Sequence, residues 1–557
     1  MSSATISDTP TLPAQEEVKG EVKEEAKGDA VETPNAQPSR HLEGVPLVLV
    51  CIGLALGVFC LGLDRSILAT AIPKITSQFN SLDDVAWYGS SYLLTTCCFQ
   101  LMFGKLYADF KVKWVFTAAL ALFEIGSLVA GCAPNSVALI IGRAIQGVGC
   151  AGVLTGAFTI IALVLPLHKR PVYTGLIGSV SGISQIIAPT LGGVFTDRAT
   201  WRWCFWINLP LGAVTVVVVI FFVKLPPKPK SDTPRSYAQL LRKLDLPGTL
   251  TLMPSIVCLL LALQWGGLKY PWGNWRVILC LVIFAVLIVV WFYIQYRRGD
   301  EATLPLRILK QRSVASGVAF ALCSSGTLFV IVYYVPIWFQ SVQSASAEKS
   351  GINFLASTAA MSVTAVLSGV LTSKSGYYVP QMYASVVLMS VSAGLVHRYQ
   401  LDTTTVYWAA TLVLFGLGAG IGMQMPITAA QTVLRGNDIP LGTSLLILIQ
   451  TLAGTIFLAV GQNLFQTELI RALGVYVPGV DPRVVIHTGV SNLDSVIKKA
   501  YGAEAFRGVL DAYNTALKKC FLVCLILACL SIVGPIFMEW KNVKVESAKE
   551  AQEHNLE

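Results

Sequence analysis

Three ionisable side chains stand inside runs of apolar residues: Asp64 near the outer end of the first run, Glu124 in the middle of the third and Arg143 early in the fourth. Each costs roughly 2.5 to 3.5 kcal/mol at the centre of a membrane-inserted helix, so such groups face an aqueous cavity or one another. An Arg stays protonated, whereas a desolvated carboxylate beside it can gain and lose a proton. The trio therefore reads as a proton-exchange site, with Asp64 or Glu124 taking the proton and Arg143 setting its affinity. A fixed ion pair tethering two helices is the other reading of the same residues. Farther on, the run SQIIAPTLGG at 184–193 combines Pro189, which removes a backbone donor, with Gly192 and Gly193, which permit close helix approach. That composition suits a helix that rocks against its neighbours.

Other chemistry is not signalled. Thirteen Cys residues lie in or beside the apolar runs, without CxxC pairs or His partners at metal-ligand spacing, and read as small buried hydrophobes. Carboxylates, His and Cys do not cluster at any catalytic spacing, and no GxxxxGK[ST] phosphate loop occurs, so neither an enzyme, a metal site nor a bound cofactor is expected.

The elements that must position the trio are membrane helices. Of 557 residues 54% are hydrophobic and only 13% charged, against about 25% charged in soluble proteins. Runs of about 20 apolar residues, enough to cross a 30 Å hydrocarbon core, recur near 46–66, 86–106, 114–133, 137–165, 173–195 and 205–223. Two more, near 248–266 and 276–296, stand between a polar Pro-rich stretch at 224–247 and a basic segment at 297–313. A second block follows near 314–339, 351–373, 380–397, 406–425, 442–465 and 518–538, within 314–540. The expected fold is an all-α membrane protein: a six-helix bundle over 46–223, two inserted helices over 248–296 and a second six-helix bundle, fourteen transmembrane helices in all. Residues 1–45, rich in Glu and Lys and without aromatics, read as a disordered tail; 541–557 reads as a second tail and 466–519 as a long outer loop with an amphipathic helix near 493–510.

The net charge of +9 forms no single basic face, which argues against a nucleic-acid partner. Lys and Arg concentrate instead in alternate short loops, at Lys105, Lys111 and Lys113, at Lys169 and Arg170, over 224–247, over 297–312, and at Lys374 and Arg435. That bias places both termini and the 224–247 linker in the cytoplasm. Gly104-Lys105-Leu106 and Gly369-Val370-Leu371 follow the second helix of each block, a sign of repeated halves enclosing a midplane site.

Several segments together resemble one family. LDRSILATAIPKI at 63–75 resembles the signature of the 14-helix drug:proton antiporters of the major facilitator superfamily. Arg143, Gln146, Gly147 and Gly149 match its RxxQGxG motif, and GKLYADFKVK at 104–113 resembles its loop 2–3 latch, with the acid one residue late and the second Gly absent. The helix 5 segment is similar to the GPxxGG antiporter motif, with Ala188 for the first Gly. WRWCFWINLPLG at 201–212, YYVPIWFQSV at 333–342 and IPLGTSLLILIQTLAGTIF at 439–457 are similar to fungal members. The resemblance implies the major facilitator fold and proton-coupled export of hydrophobic metabolites, toxins or drugs by a monomer in the plasma membrane, or in a vacuolar or vesicle membrane. It implies proton coupling at Arg143, in the first block because the fourth helix of the second block has no equivalent Arg, and conformational roles for Gly104, Asp109, Lys113, Gln146, Gly147, Pro189, Gly192 and Gly193.

Apolar surroundings with few polar anchors suit a neutral or weakly cationic organic ligand, and Tyr92, Gln100, Gln185, Tyr334, Gln340, Gln424 and Gln450 are the candidate contacts. Uptake or vacuolar exchange of a siderophore, amino acid or other nutrient stays open as an alternative, as does a sensor that binds without net transport.

Overall fold

The structure, a computed structural model, describes residues 43–81, 84–223, 245–267, 269–482, 484–485 and 493–556. The expected tail over 1–45 and linker over 224–247 fall almost wholly outside the described residues.

In hydrocarbon every backbone donor and acceptor must be satisfied within its own segment, and the apolar runs accordingly fold as helices. In chain order these are α1 (Gly44–Phe79), α2 (Val85–Asp109), α3 (Val112–Gly131), α4 (Ser136–Val164), α5 (Arg170–Arg198) and α6 (Trp203–Phe222). The inserted pair is α7 (Leu246–Trp265) and α8 (Trp275–Arg298). The second half comprises α9 (Arg312–Ser341), α10 (Ala347–Ser375), α11 (Val379–His397), α12 (Thr405–Val433), α13 (Asp438–Tyr476) and α14 (Leu493–Leu530), and α15 (Val543–Leu556) closes the chain. Among the described residues 13 helices are long and apolar enough to cross a membrane. The remaining long helix is α2, whose Thr95, Thr96 and Tyr107 hydroxyls donate to the α4 carbonyls of Ala144, Gly147 and Gly152 at 2.8, 3.1 and 2.8 Å. Its polar residues are bonded to a neighbouring helix, which is why its composition understates its place in the bundle.

Three helices outrun their apolar stretches. The first run, expected to end at 66, continues as α1 through Asp64, Arg65, Pro73 and Lys74 to Phe79, where Asn80 at φ 50° caps it in the left-handed region. Asp64 is thus residue 21 of a 36-residue helix, near its middle rather than at its outer end. The described part of the expected outer loop at 466–519 is also largely helical: α13 runs on to Tyr476, and α14 begins at Leu493 with a break at Gly502, where φ is +88°. The amphipathic helix expected near 493–510 is therefore the start of α14. Leu469, Leu473, Val509 and Tyr513 are buried in these extensions, so packing against one another rather than lipid sustains them.

The inserted pair is stapled at one end by Asp245, a fully buried residue. Its carboxylate accepts from Gly248 N–H (3.0 Å), Gln295 Nε2 (2.9 Å), Thr303 N–H and hydroxyl (both 2.8 Å) and pairs with Arg298 at 3.2 Å. Only Val277, Trp291 and Gln295 of α8 are buried; the rest of this apolar helix is left for lipid.

The halves meet along two equivalent seams, α2 against α13 and α5 against α10. A Cβ at Gly104 of α2 would collide with Ser444 and lie 3.2 Å from the Pro440 carbonyl oxygen of α13, and one at Gly369 of α10 would collide with the Pro171 carbonyl of α5. In each seam the second helix of one half thus presses a glycine against the proline-bearing start of the fifth helix of the other. This end, called inner because the basic loops lie there, is closed. Following the α5 stripe outward, Gly175 meets Ala365 and Gly182 meets Ser362, but Pro189 is exposed and Gly193 has nothing within 4 Å of an added Cβ. Gly351 on α10 and Gly89 on α2 are equally open. The molecule is closed at its inner end and open at the other.

Candidate functional site

The polar centre of the first half is assembled by α4. Arg143 and Gln146 lie one turn apart on its α1 face, while a Cβ at Gly147 would collide with Tyr92 of α2 and one at Gly149 with Phe123 of α3. The glycines admit two neighbours to backbone contact, and the long side chains between them reach α1. Arg143 is 1% exposed and Asp64 0%.

Arg143 Nη1 donates to Asp64 Oδ2 and, at 3.0 Å, to Gln146 Oε1; its Nε donates to the Tyr88 carbonyl at 3.0 Å. Gln146 Nε2 donates to Asp64 Oδ1 and to Ser127 Oγ, both at 3.0 Å. Ser127 Oγ donates to the Phe205 carbonyl (3.0 Å) and accepts from Asn208 Nδ2 (2.9 Å). The Arg143 guanidinium also lies 4.4 Å from the Tyr92 ring centroid, a cation–π contact. The network crosses α1, α2, α3, α4 and α6 with nearly every partner satisfied, which is the condition for a buried ion pair to be tolerated.

Glu124 is placed differently. It stands on α3 one turn before Ser127, against Gly212 of α6, and neither carboxylate oxygen has a hydrogen-bond partner, although both are buried. Burying an unpaired carboxylate is far costlier than burying the neutral acid. The structure thus brings all three sequence-derived ionisable residues into one half and separates a satisfied pair from an unsatisfied acid.

The remaining candidates divide by position. Gly104 sits in the closed α2–α13 seam, and Asp109 pairs with Lys105 one turn back at 3.7 Å. Lys113 Nζ donates to the Ile220 carbonyl at 2.5 Å, tying α3 to α6. Pro189 faces the opening, Gly192 lies against Thr70 and Ile67 of α1, and Gly193 is free of neighbours. Gln424 sits where α12 breaks between Gly422 and Met425, within 2.6 Å of a Cβ at Gly178; Gln450 Nε2 donates to the Met423 carbonyl at the same break at 3.1 Å. Gln185 and Gln340 are half-buried, Gln185 donating to the Ser181 carbonyl of its own helix at 3.1 Å. Three candidate ligand contacts are packed away instead. Gln100 is fully buried and donates to Thr155 Oγ1 of α4, Tyr92 lies under Arg143, and Tyr334 packs on Gly461 and Phe465. Polar residues on a helix face the interior of a half as readily as a central cavity, and spacing along one helix does not distinguish the two.

Sequence reasoning missed Ser127 and Asn208, which complete the network, and Arg65, whose guanidinium lies 3.9 Å from Cys150 Sγ. Asn208 within the apolar WRWCFWINLPLG segment and Ser127 three residues after Glu124 were the available signals.

Comparison with known proteins places this arrangement in a family. Residues 54–458 match the model of the Major Facilitator Superfamily. The chain belongs to the major facilitator superfamily. The "MFS-type efflux pump MFS1" of Arthroderma benhamiae is 48% identical over 93% of this chain and 96% of its own length. "Efflux pump aflT" of Aspergillus parasiticus is 45% identical over 91% and 98%. The fold is shared with the proton:xylose symporter XylE, which is 12% identical with a TM-score of 0.54 over 90% of this chain and 98% of that one. The matched region begins within α1 and ends within α13, so the polar centre and both seams lie inside it.

Proposed function

We propose that this superfamily member exports hydrophobic small organic molecules of the secondary-metabolite or toxin type, in exchange for protons, from a cytoplasm that lies at the closed end. The relatives named as efflux pumps support the direction of transport. The observation that carries the coupling is Glu124, a buried acid with both oxygens unpartnered beside a completed ion pair. In the outward-open state Glu124 takes a proton from the open side. Closing the outer end and opening the inner seams carries it to the cytoplasmic side, where it is released. Arg143 and Gln146 hold Asp64, so that α1 and α4 move as one body and the acid is not rehydrated in transit.

The driving force is adequate. One proton entering down one pH unit and 100 mV supplies about 1.4 plus 2.3 kcal/mol, which sustains roughly a few hundredfold gradient of a neutral solute. The positive-inside bias of the short loops supports the orientation, and a plasma-membrane, monomeric exporter is the simplest assembly that uses it. Reconstitution of the purified chain in vesicles with an imposed pH gradient and an internal pH dye tests the reading. Proton flux that starts only when a hydrophobic compound is added is expected; compound flux with no proton movement would leave an uncoupled facilitator.

A further inference from the structure

Arg65 is a second membrane-buried cation, and the network around Asp64 does not use it. Although next to Asp64 in sequence, it lies about 100° farther round α1, and Asp64 is engaged by Arg143 and Gln146. Among the described residues no carboxylate lies within ion-pair distance of Arg65. Its Nη2 has the Cys150 thiol at 3.9 Å, a weak partner, and its Nε is buried without one. The guanidinium stands beside Tyr92.

Its depth is informative. Side chains on a helix tilt toward the N-terminus, so Arg65 leans inward from the outer half of α1 toward Cys150, in the middle of α4. Gly62, one turn earlier, packs on Ser181 and Ser184 of α5, and Gly182 between them meets Ser362 of the other half. The guanidinium therefore lies at the depth where the seam closes and the opening ends, and the side chain is partly exposed. A lone Arg is expensive in this setting and is retained where an anion visits it.

We propose that Arg65 is the anchor for an acidic cargo: an apolar organic molecule bearing one carboxylate, or an equivalent ionised phenol or enol, which pairs with the guanidinium while its apolar body fills the opening. This departs from the neutral or weakly cationic cargo expected from composition, and it rests on the export reading above. The Asp64–Arg143 pair is neutral as a unit, so Arg65 adds a positive charge that no described carboxylate within ion-pair distance offsets and that the cargo can balance.

Matched probes test it: 1-naphthoate against 1-naphthamide and 9-anthracenecarboxylate against 9-anthracenecarboxamide, pairs of nearly equal shape that differ in charge. Saturable binding to the full-length protein in lipid nanodiscs is measured at pH 7.5. The acids are expected to bind about 10- to 100-fold more tightly than the amides, with the ratio falling to about one in Arg65→Gln and partly kept in Arg65→Lys. A ratio of about one in the unaltered protein, no saturable acid binding at millimolar concentration, or a preference that survives Arg65→Gln would overturn the proposal. Proton flux with each acid and each amide is recorded in parallel, against vesicles without protein. Flux with a binding ratio of one removes the anion site and leaves the export reading; acid preference without any flux removes the export reading and leaves the site.

Discussion

Where α4 carries Arg143 and Gln146, the fourth helix of the second half carries only its glycines. A Cβ at Gly416 or Gly420 of α12 would collide with α10 backbone, and one at Gly418 would lie 2.9 Å from the Met389 nitrogen of α11. Gly147 and Gly149 of α4 do the same against α2 and α3. The two halves thus repeat the packing and differ in what is packed. In the second half the interior is aromatic: Trp338 packs against Tyr399 with ring centroids 4.6 Å apart, Phe339 meets Trp408 edge-to-face at 4.8 Å and Phe465 lies tilted against Tyr513 at 5.7 Å, with the Trp338 indole donating to Asn514 at 3.1 Å. Small residues at helix crossings are a requirement of the fold and recur, whereas among the described residues a buried ion pair between helices of one half occurs in the first half and not in the second.

The sharpest break of this comparison is Arg143→Ala. It strips a buried carboxylate of its partner, which costs about 3 to 5 kcal/mol, and it is expected to abolish compound-dependent proton flux in whatever protein remains folded. Trp338→Ala in the second half should cost a similar or slightly smaller amount, about 3 to 5 kcal/mol for a large aromatic cavity. Its survivors should keep an unchanged number of protons per cargo molecule. Thermal melts in detergent and flux ratios in vesicles read both outcomes, and a changed proton ratio in Trp338→Ala would spread the chemistry over both halves.

Smaller effects test the repeat itself. Gly104→Val and Gly369→Val force a branched side chain into the two equivalent seams, where overpacking costs about 1 to 3 kcal/mol. Each should shift the protein toward an inner-open state to a similar extent, measured by labelling of cysteines introduced in the inner seam. A large shift from one and none from the other would show that only one seam is the latch. The smallest effect concerns α15, which rests on the inner end through Arg170–Glu550 at 3.3 Å, Arg435–Glu546 at 3.8 Å and His168–Ser547 at 3.2 Å. Burial together with Lys169 and Lys544 holds the His168 pKa below its usual value. The proton therefore binds better when α15 is undocked, so docking is intact above about pH 6.5 and weakens as the pH falls below it. Hydrogen exchange over 543–556 should be faster at pH 5.5 than at 7.5, and His168→Gln should flatten the difference.

Much of this was legible in the sequence. Asp64, Glu124, Arg143 and Gln146 stand out because a polar group in an apolar run has few inexpensive explanations, and the helices follow from the thickness of a bilayer. Helix ends were less legible. α1 continues past 66 through Pro73 and Lys74, residues that normally end a span, because packing against α5 replaces lipid there. Most of the described part of 466–519 folds as helix because α13 and α14 pack on each other there. Rotational phase was not legible at all: Gln100 and Gln424 look alike in sequence, yet one bonds to Thr155 inside a half and the other meets α5 across the seam. Arg65 was passed over beside the end of the run expected at 66, and the length of α1 places it well within the helix.

Proton flux per cargo molecule in vesicles carrying Glu124→Gln, beside the unaltered protein, bears most directly on the division of labour. Because the Glu124 oxygens have no partners, the amide should leave folding and cargo binding nearly unchanged and abolish compound-driven proton movement. An unchanged proton flux in Glu124→Gln would contradict the account and return the proton to the Asp64–Arg143 pair.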